Sequence, residues 1–156
     1  MNLEQQCVSL YLATWLKELG VKQESYFVWY KLKENQEFNN FISESWQIDD
    51  SERFDTIAAY TAAELLALLP HHITTKEPEP YNSYRLYISG AVIVKNPEWI
   101  EPTRTHFVNY SCDTFSLDKT YFMGKYLTGN IWDENPANAF AKMLVYLYEQ
   151  GLIAND

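Results

Sequence analysis

Between Cys7 and Leu32 the spacing of apolar side chains changes from a helical to an extended period across a single glycine. Val8, Tyr11, Leu12, Trp15, Leu16 and Leu19 recur at i, i+3, i+4, i+7, i+8 and i+11, one broad stripe of a 3.6-residue period that predicts a buried helix face. Gly20 follows where a helix favours a residue free to turn left-handed, and Lys17 suits the carbonyl-rich end. After the polar link VKQES, Tyr26 to Leu32 alternates as a strand would. Phe27, Trp29 and Lys31 fall on one side, and Tyr26, Val28, Tyr30 and Leu32 on the other.

The same reading extends along the chain. Lys33 to Asn40 is polar and predicts a hairpin or connecting loop, and Phe41 to Ile48 resumes a strand around Phe41, Trp46 and Ile48. Thr61-Ala-Ala-Glu64 has the spacing of a capping box, with Ala62, Leu65, Leu66 and Leu69 as the helix stripe behind it and Pro70 as its stop. His71 to Ser83, with Pro78 and Pro80, reads as an exposed loop. Tyr84 to Val94 reads as a strand in which Gly90 marks a bulge or a close backbone approach. Thr105 to Ser111 and Thr120 to Leu127 add further strands. Asn135-Pro136 opens a last helix that runs to Gln150 on the stripe Phe140, Met143, Leu144, Leu147 and Tyr148, and Gly151 ends it. Helices at both ends and in the middle, with sequential strands between them, predict an α+β domain. Its expected form is one antiparallel-dominated sheet of four to five strands carrying the N-terminal, middle and C-terminal helices.

A length of 156 residues fits one domain, residues 1–156, large enough to need no covalent staple. The two cysteines, Cys7 and Cys112, are too few for a disulfide framework and read as small buried hydrophobes in a reducing compartment. No apolar run approaches the ~18 residues of a membrane span, so no membrane is expected as a partner. The net charge of −9 argues against binding a nucleic-acid backbone. Much of the acidity falls between Glu44 and Glu64, where Glu44, Asp49, Asp50, Glu52, Asp55 and Glu64 face only Arg53. Such a run is either a solvated loop or a patch turned to a basic partner.

Candidate chemistry is sparse. Cys112 or Ser111 with His106 and Asp113 supplies the residue types of a nucleophilic triad, but they are crowded along one strand, and a buried structural thiol is the plainer reading of Cys112. His71 and His72, with Glu77 and Glu79 nearest, lack a partner at metal-ligand spacing. Five glycines form no phosphate cradle, and the paired carboxylates Asp49 with Asp50 and Asp133 with Glu134 read as solvated charge. No catalytic residue, metal or cofactor is therefore expected. The anomaly is twelve tyrosines within 16% aromatic residues. Tyr30, Tyr84 or Tyr87, Tyr110 and Tyr126 would populate both faces of the sheet and expose a tyrosine-rich face if only one is covered.

The blocks VSLYLATWLKELGVKQESYFVW, TAAELLALLP and ANAFAKMLVYLYEQGLI together resemble a family of small uncharacterised bacteriophage and prophage proteins, over about a third of the chain. The resemblance implies a mobile-element origin and the cytoplasm of a bacterial host, and brings no activity, cofactor or site residue with it. Two readings result. The first is a non-enzymatic acidic interaction module, such as an inhibitor or modulator of a host protein. It would bind a partner with a basic surface, or a second copy of the chain, through Glu44, Asp49, Asp50, Glu52, Asp55, Tyr84, Tyr87 and Tyr110. The second is a small-ligand or nucleotide binder, or an enzyme, with an aromatic pocket between sheet and helices and His71, His72 or His106 as its polar handle.

Overall fold

The computed structural model describes residues 3–34, 41–48, 53–75, 83–93, 103–115, 122–127 and 131–154. Three α-helices, α1 (Leu10–Glu18), α2 (Ala62–Leu68) and α3 (Pro136–Glu149), combine with antiparallel strands into an α+β fold. The strands divide between two sheets rather than joining one. The smaller has the order β2-β1-β3, from β1 (Phe27–Leu32), β2 (Ile42–Glu44) and β3 (Phe54–Ala58). The larger has the order β4-β5-β6-β7, from β4 (His72–Thr74), β5 (Ser83–Ile93), β6 (Thr103–Phe115) and β7 (Phe122–Tyr126), and β8 (Ile131–Asp133) pairs with the N-terminal half of β6.

Helix ends follow local chemistry. Gly20 and Gly151 take φ of 82° and 63°, the left-handed conformation that a Cβ disfavours. At α2 the capping box is complete: the Glu64 amide donates to Thr61 Oγ1 at 3.3 Å and the Thr61 amide donates to Glu64 Oε2 at 2.8 Å. At α3 the Asn135 side chain accepts from the Ala137 amide at 2.9 Å, and Pro136 follows at the position where a missing N–H is harmless.

One hydrophobic core joins both sheets and all three helices. α3 runs through it and buries Ala137, Ala139, Phe140, Ala141, Met143, Leu144, Val145 and Leu147, apolar on most of its circumference as a central helix must be. α1 packs on α3 and β3 through Leu12, Ala13 and Leu16. Its buried stripe is thus turned toward the small side chain of Ala13, and Tyr11, expected inside, is 70% exposed. Trp29 pairs across the smaller sheet with Ile42 and Ile57, and its indole N–H donates to the Val8 carbonyl at 3.1 Å.

Four details depart from the sequence pattern. β3 lies inside the acidic segment, anchored by buried Ile57 and Ala58, so that segment is not one solvated loop. β2 is only three residues long and turns at once into a 3-10 helix, Ser45–Gln47. The loop expected after α2 contains β4, where Ile73 is buried and pairs with Tyr84. Gly90 pairs with His106 in an unbroken β5–β6 register, so no bulge forms there. Pro78, Pro80, Glu77 and Glu79 lie outside the described residues.

Candidate functional site

Of the acidic residues expected at a partner surface, Asp49, Asp50 and Glu52 lie outside the described residues. Glu44, at the end of β2, accepts from Gln47 Nε2 at 3.0 Å. Asp55 in β3 stands opposite Lys31 with 3.8 Å between their charged groups, a partly exposed pair of small energetic consequence. Glu64 is structural: its carboxylate also accepts from the Tyr26 amide at 2.9 Å and so ties α2 to the start of β1. Desolvation raises its pKa, but the hydrogen bonds from Thr61, Tyr26 and Ser25 outweigh it and leave the carboxyl below its usual value.

The tyrosines expected on an open sheet face are corrected by their burial. Tyr84 and Tyr110 are 1% and 0% exposed, closed over in the core shared with α3. The Tyr110 hydroxyl donates to the Pro70 carbonyl at 2.5 Å, and burial holds its pKa well above the ordinary tyrosine value. The side chain of Tyr87 lies outside the described residues.

Among the described residues, exposed aromatic rings cluster on and beside the smaller sheet, with Tyr11 of α1 and Trp132 of β8 exposed elsewhere. Residues alternate in β1, so the face opposite Trp29 carries Val28, Tyr30 and Leu32; Val28 is buried beside Ala58, and exposure rises toward Leu32. Tyr30 stacks on Phe41 at 6.3 Å between ring centroids and meets Phe54 edge-on at 5.8 Å. Phe41 and Trp46 are 58% and 74% exposed, as is Tyr26 at 74%. Phe41 and Trp46 stand out in the sequence only as strand residues. Their exposure arises because β2 is short and lies at the sheet edge.

The nucleophilic constellation does not assemble. His106 and Cys112 lie six residues apart on the extended strand β6, which places their Cα atoms roughly 20 Å apart. No hydrogen-bonded relay spans that gap, and the side chains of Ser111, Cys112 and Asp113 lie outside the described residues. Cys7 is fully buried, and desolvation first, then the nearby Glu64 charge, push its thiol up to about 11, which suppresses the thiolate. His71 and His72 are exposed at the mouth of β4. Among the described residues no group of three His, Cys, Asp or Glu side chains is placed to hold a metal ion.

What the fold does bring together is a hollow of about 900 Å³. Its walls come from the N-terminal segment (Glu4, Gln5, Gln6), the start of α2 (Thr61, Ala62, Ala63), His106 of β6, and the turn from β8 into α3 (Asp133, Glu134, Asn135, Pro136). These four segments are pinned to each other. Cys7 bridges to Thr61, Asn135 Nδ2 donates to the Cys7 carbonyl at 2.8 Å, and the Ser9 amide donates to Asn138 Oδ1 at 2.8 Å. Asp133 sits opposite His106 in the β6–β8 register, accepts from the Asn135 amide at 2.8 Å and pairs with Lys142 at 2.7 Å.

No family model, curated protein or solved structure matches this chain.

Of the three histidines considered as a handle for an aromatic pocket, His106 is among the residues that line the hollow. Apart from that imidazole, no aromatic side chain is among the described residues that line the hollow. No helix among the described residues is long and apolar enough to cross a membrane.

Proposed function

We propose that the chain is a non-enzymatic interaction module, of the phage or prophage type that its sequence blocks resemble. It docks on a partner protein through the open face and edge of the smaller sheet. The observation that carries this reading is the aromatic cluster of Tyr30, Phe41 and Phe54, with Trp46 exposed in the 3-10 turn that follows the edge strand β2. One side of the sheet is anchored in the core by Trp29 and Ile57; the other buries Val28 and Ala58 at one end and at the other end carries the half-buried rings of Tyr30 and Phe54 beside exposed Phe41. Rings of this kind give contact area at small entropic cost. Glu44 and Asp55 pair with Phe27 and Lys31 and so fall on the Trp29 side of the sheet, which leaves the net charge of −9 as the long-range complement: the fitting partner is a basic protein with an apolar centre to its contact surface.

The test is quantitative capture from a bacterial lysate by the wild-type chain, by Phe41→Ser/Trp46→Ser and by Glu44→Lys/Asp55→Lys. The expected result is one stoichiometric protein that is released as salt rises, is lost from Phe41→Ser/Trp46→Ser with thermal unfolding unchanged, and is only weakened in Glu44→Lys/Asp55→Lys, which alters the long-range charge without touching the rings. A clean monomer without a partner at low salt, or a partner retained equally by both variants, would overturn the reading.

A further inference from the structure

The smaller sheet has two edges, and the chain treats them differently. At β3 the Ala59 amide donates to the Phe27 carbonyl at 2.8 Å, so by alternation the backbone groups of Thr56 and Ala58 point away from β1. Side chains reach this edge from outside the sheet. The Ala58 amide donates to Gln23 Oε1 at 3.1 Å, and the Thr56 carbonyl accepts from Lys17 Nζ at 3.2 Å. At β2 the Ser45 amide donates to the Tyr26 carbonyl at 2.8 Å, which turns Ser43 toward β1 as well. The amides and carbonyls of Ile42 and Glu44 therefore point outward. β2 ends the strand order, and among the described residues no strand pairs with its outer side.

A three-residue edge with a carboxylate is also a way to discourage chance pairing. The neighbours of β2 work against that purpose. Phe41 just before it and Trp46 just after it are 58% and 74% exposed, and apolar rings beside open backbone groups promote association. Phe41 and Ser43 lie on the Tyr30 side of the strand, Ile42 and Glu44 on the Trp29 side. Neutral Gln47 donates to Glu44 Oε2 at 3.0 Å and accepts from the Ser43 hydroxyl at 2.8 Å, which steadies the carboxylate beside the edge without cancelling its charge. An incoming strand finds two donors, two acceptors, an apolar side and an acidic side. A second copy of the chain suits this edge poorly. Antiparallel pairing about Ser43 makes the two Glu44 side chains diagonal neighbours on one face and brings together two chains of net charge −9.

We propose that the outer edge of β2 takes up an extended segment of the partner as an added strand. That segment alternates basic with apolar side chains. Its backbone pairs with Ile42 and Glu44, its apolar side chains lie beside Phe41, and its basic ones lie beside Glu44. The inference rests on the reading of the smaller sheet as a docking surface and adds the shape and pattern of what docks there.

The probe is an acetylated and amidated peptide of four Lys-Val repeats, titrated into the isotope-labelled full chain with amide resonances and hydrogen exchange as readouts. The amides of Ile42 and Glu44 are expected to shift saturably and to exchange more slowly, and a peptide of four Glu-Val repeats to cause neither change. Glu44 has φ of −64°, close to the value a proline imposes, and its amide points outward, so Glu44→Pro removes one donor while the ladder to β1 stays in place. It should weaken binding by about tenfold, as loss of one hydrogen bond does. Glu44→Gln keeps the amide and loses the charge, and should weaken binding by about threefold. A response that is absent, that spares the Ile42 and Glu44 amides, or that persists at full strength in Glu44→Pro would overturn strand addition, while the lysate capture would still decide whether the face docks a partner. Slow exchange of the same two amides in a dimer of the free chain would also overturn it and give the edge to a second copy. Protection by the Lys-Val peptide with nothing captured from lysate would uphold strand addition and count only against the proposed function.

Discussion

The two sheets are built from strands of similar aromatic content, yet the larger encloses Tyr84 and Tyr110 while the smaller carries Phe41 exposed beside the half-buried rings of Tyr30 and Phe54. In the larger sheet Tyr84 and Tyr110 lie beneath α3 and are almost fully enclosed. In the smaller sheet Trp29 plays that part on the inner face, while Tyr30, Phe41 and Phe54 gather on the outer one. The difference does not lie in the residue types. It lies in which face a helix covers, and a three-stranded sheet flanked on one side leaves the far end of the other to solvent or to a partner.

The largest test of this contrast is Tyr110→Ala. It empties a fully enclosed ring site and strands the Pro70 carbonyl, so unfolding in urea should show a loss of about 3–5 kcal/mol. Tyr110→Phe removes only the hydroxyl and should cost about 1 kcal/mol. If both changes are nearly neutral, the larger sheet is not closed as described.

Alkaline unfolding sharpens the same point for the smaller sheet's inner side. Tyr60, just after β3, is 1% exposed and its hydroxyl donates to the Lys22 carbonyl. Burial first, then the Glu64 charge, push its pKa from 10.0 up to about 12. The folded state therefore holds this proton more tightly than the unfolded chain. The stability it contributes is complete below the unfolded value of 10.0 and is lost as pH rises toward about 12. Circular dichroism and tyrosinate absorbance, followed together over that window, should show tyrosinate from Tyr60 appearing with unfolding, and Tyr60→Phe should delay the loss of structure.

A smaller effect is expected where α2 is tied to β1. Glu64→Gln weakens the capping box and the bond to the Tyr26 amide and should cost about 1 kcal/mol at neutral pH. Because the folded pKa is lowered, the wild-type advantage exists above the unfolded carboxyl value and fades as pH falls through the folded one. Denaturant midpoints of the two chains should converge in acid; a constant gap would show that the charge is irrelevant to the cap.

What the sequence discloses divides along the same line as the two sheets. The caps at Thr61, Glu64 and Asn135 and the stops at Gly20 and Gly151 are decided within a few residues, so they are readable before any tertiary contact exists. The long hairpin of β5 and β6 is likewise visible in its run of strand-formers. β3 is not, because FDTIA is short, sits among acids and is extended only through pairing with β1. Nor is the division into two sheets, the burial of Tyr84 and Tyr110, or the hollow, whose walls come from segments up to about 130 positions apart along the chain. Each depends on where α3 finally packs, and no local pattern carries that information.

The smallest expected effect on stability is the most discriminating for function. Phe41→Ser/Trp46→Ser removes two rings that are 58% and 74% exposed, and changes at such positions ordinarily stay within about 0.5 kcal/mol each. The stacking of Phe41 on Tyr30 adds a comparable amount, since Phe41 stays largely in solvent and Tyr30 keeps its edge-on contact with Phe54. Urea midpoints should therefore hardly move. A large loss would mean that the rings brace the edge strand β2 and that the open face belongs to the protein's own stability. An unchanged midpoint leaves large apolar rings held in solvent with no folding role, and that combination is the signature of a surface kept for contact with another molecule.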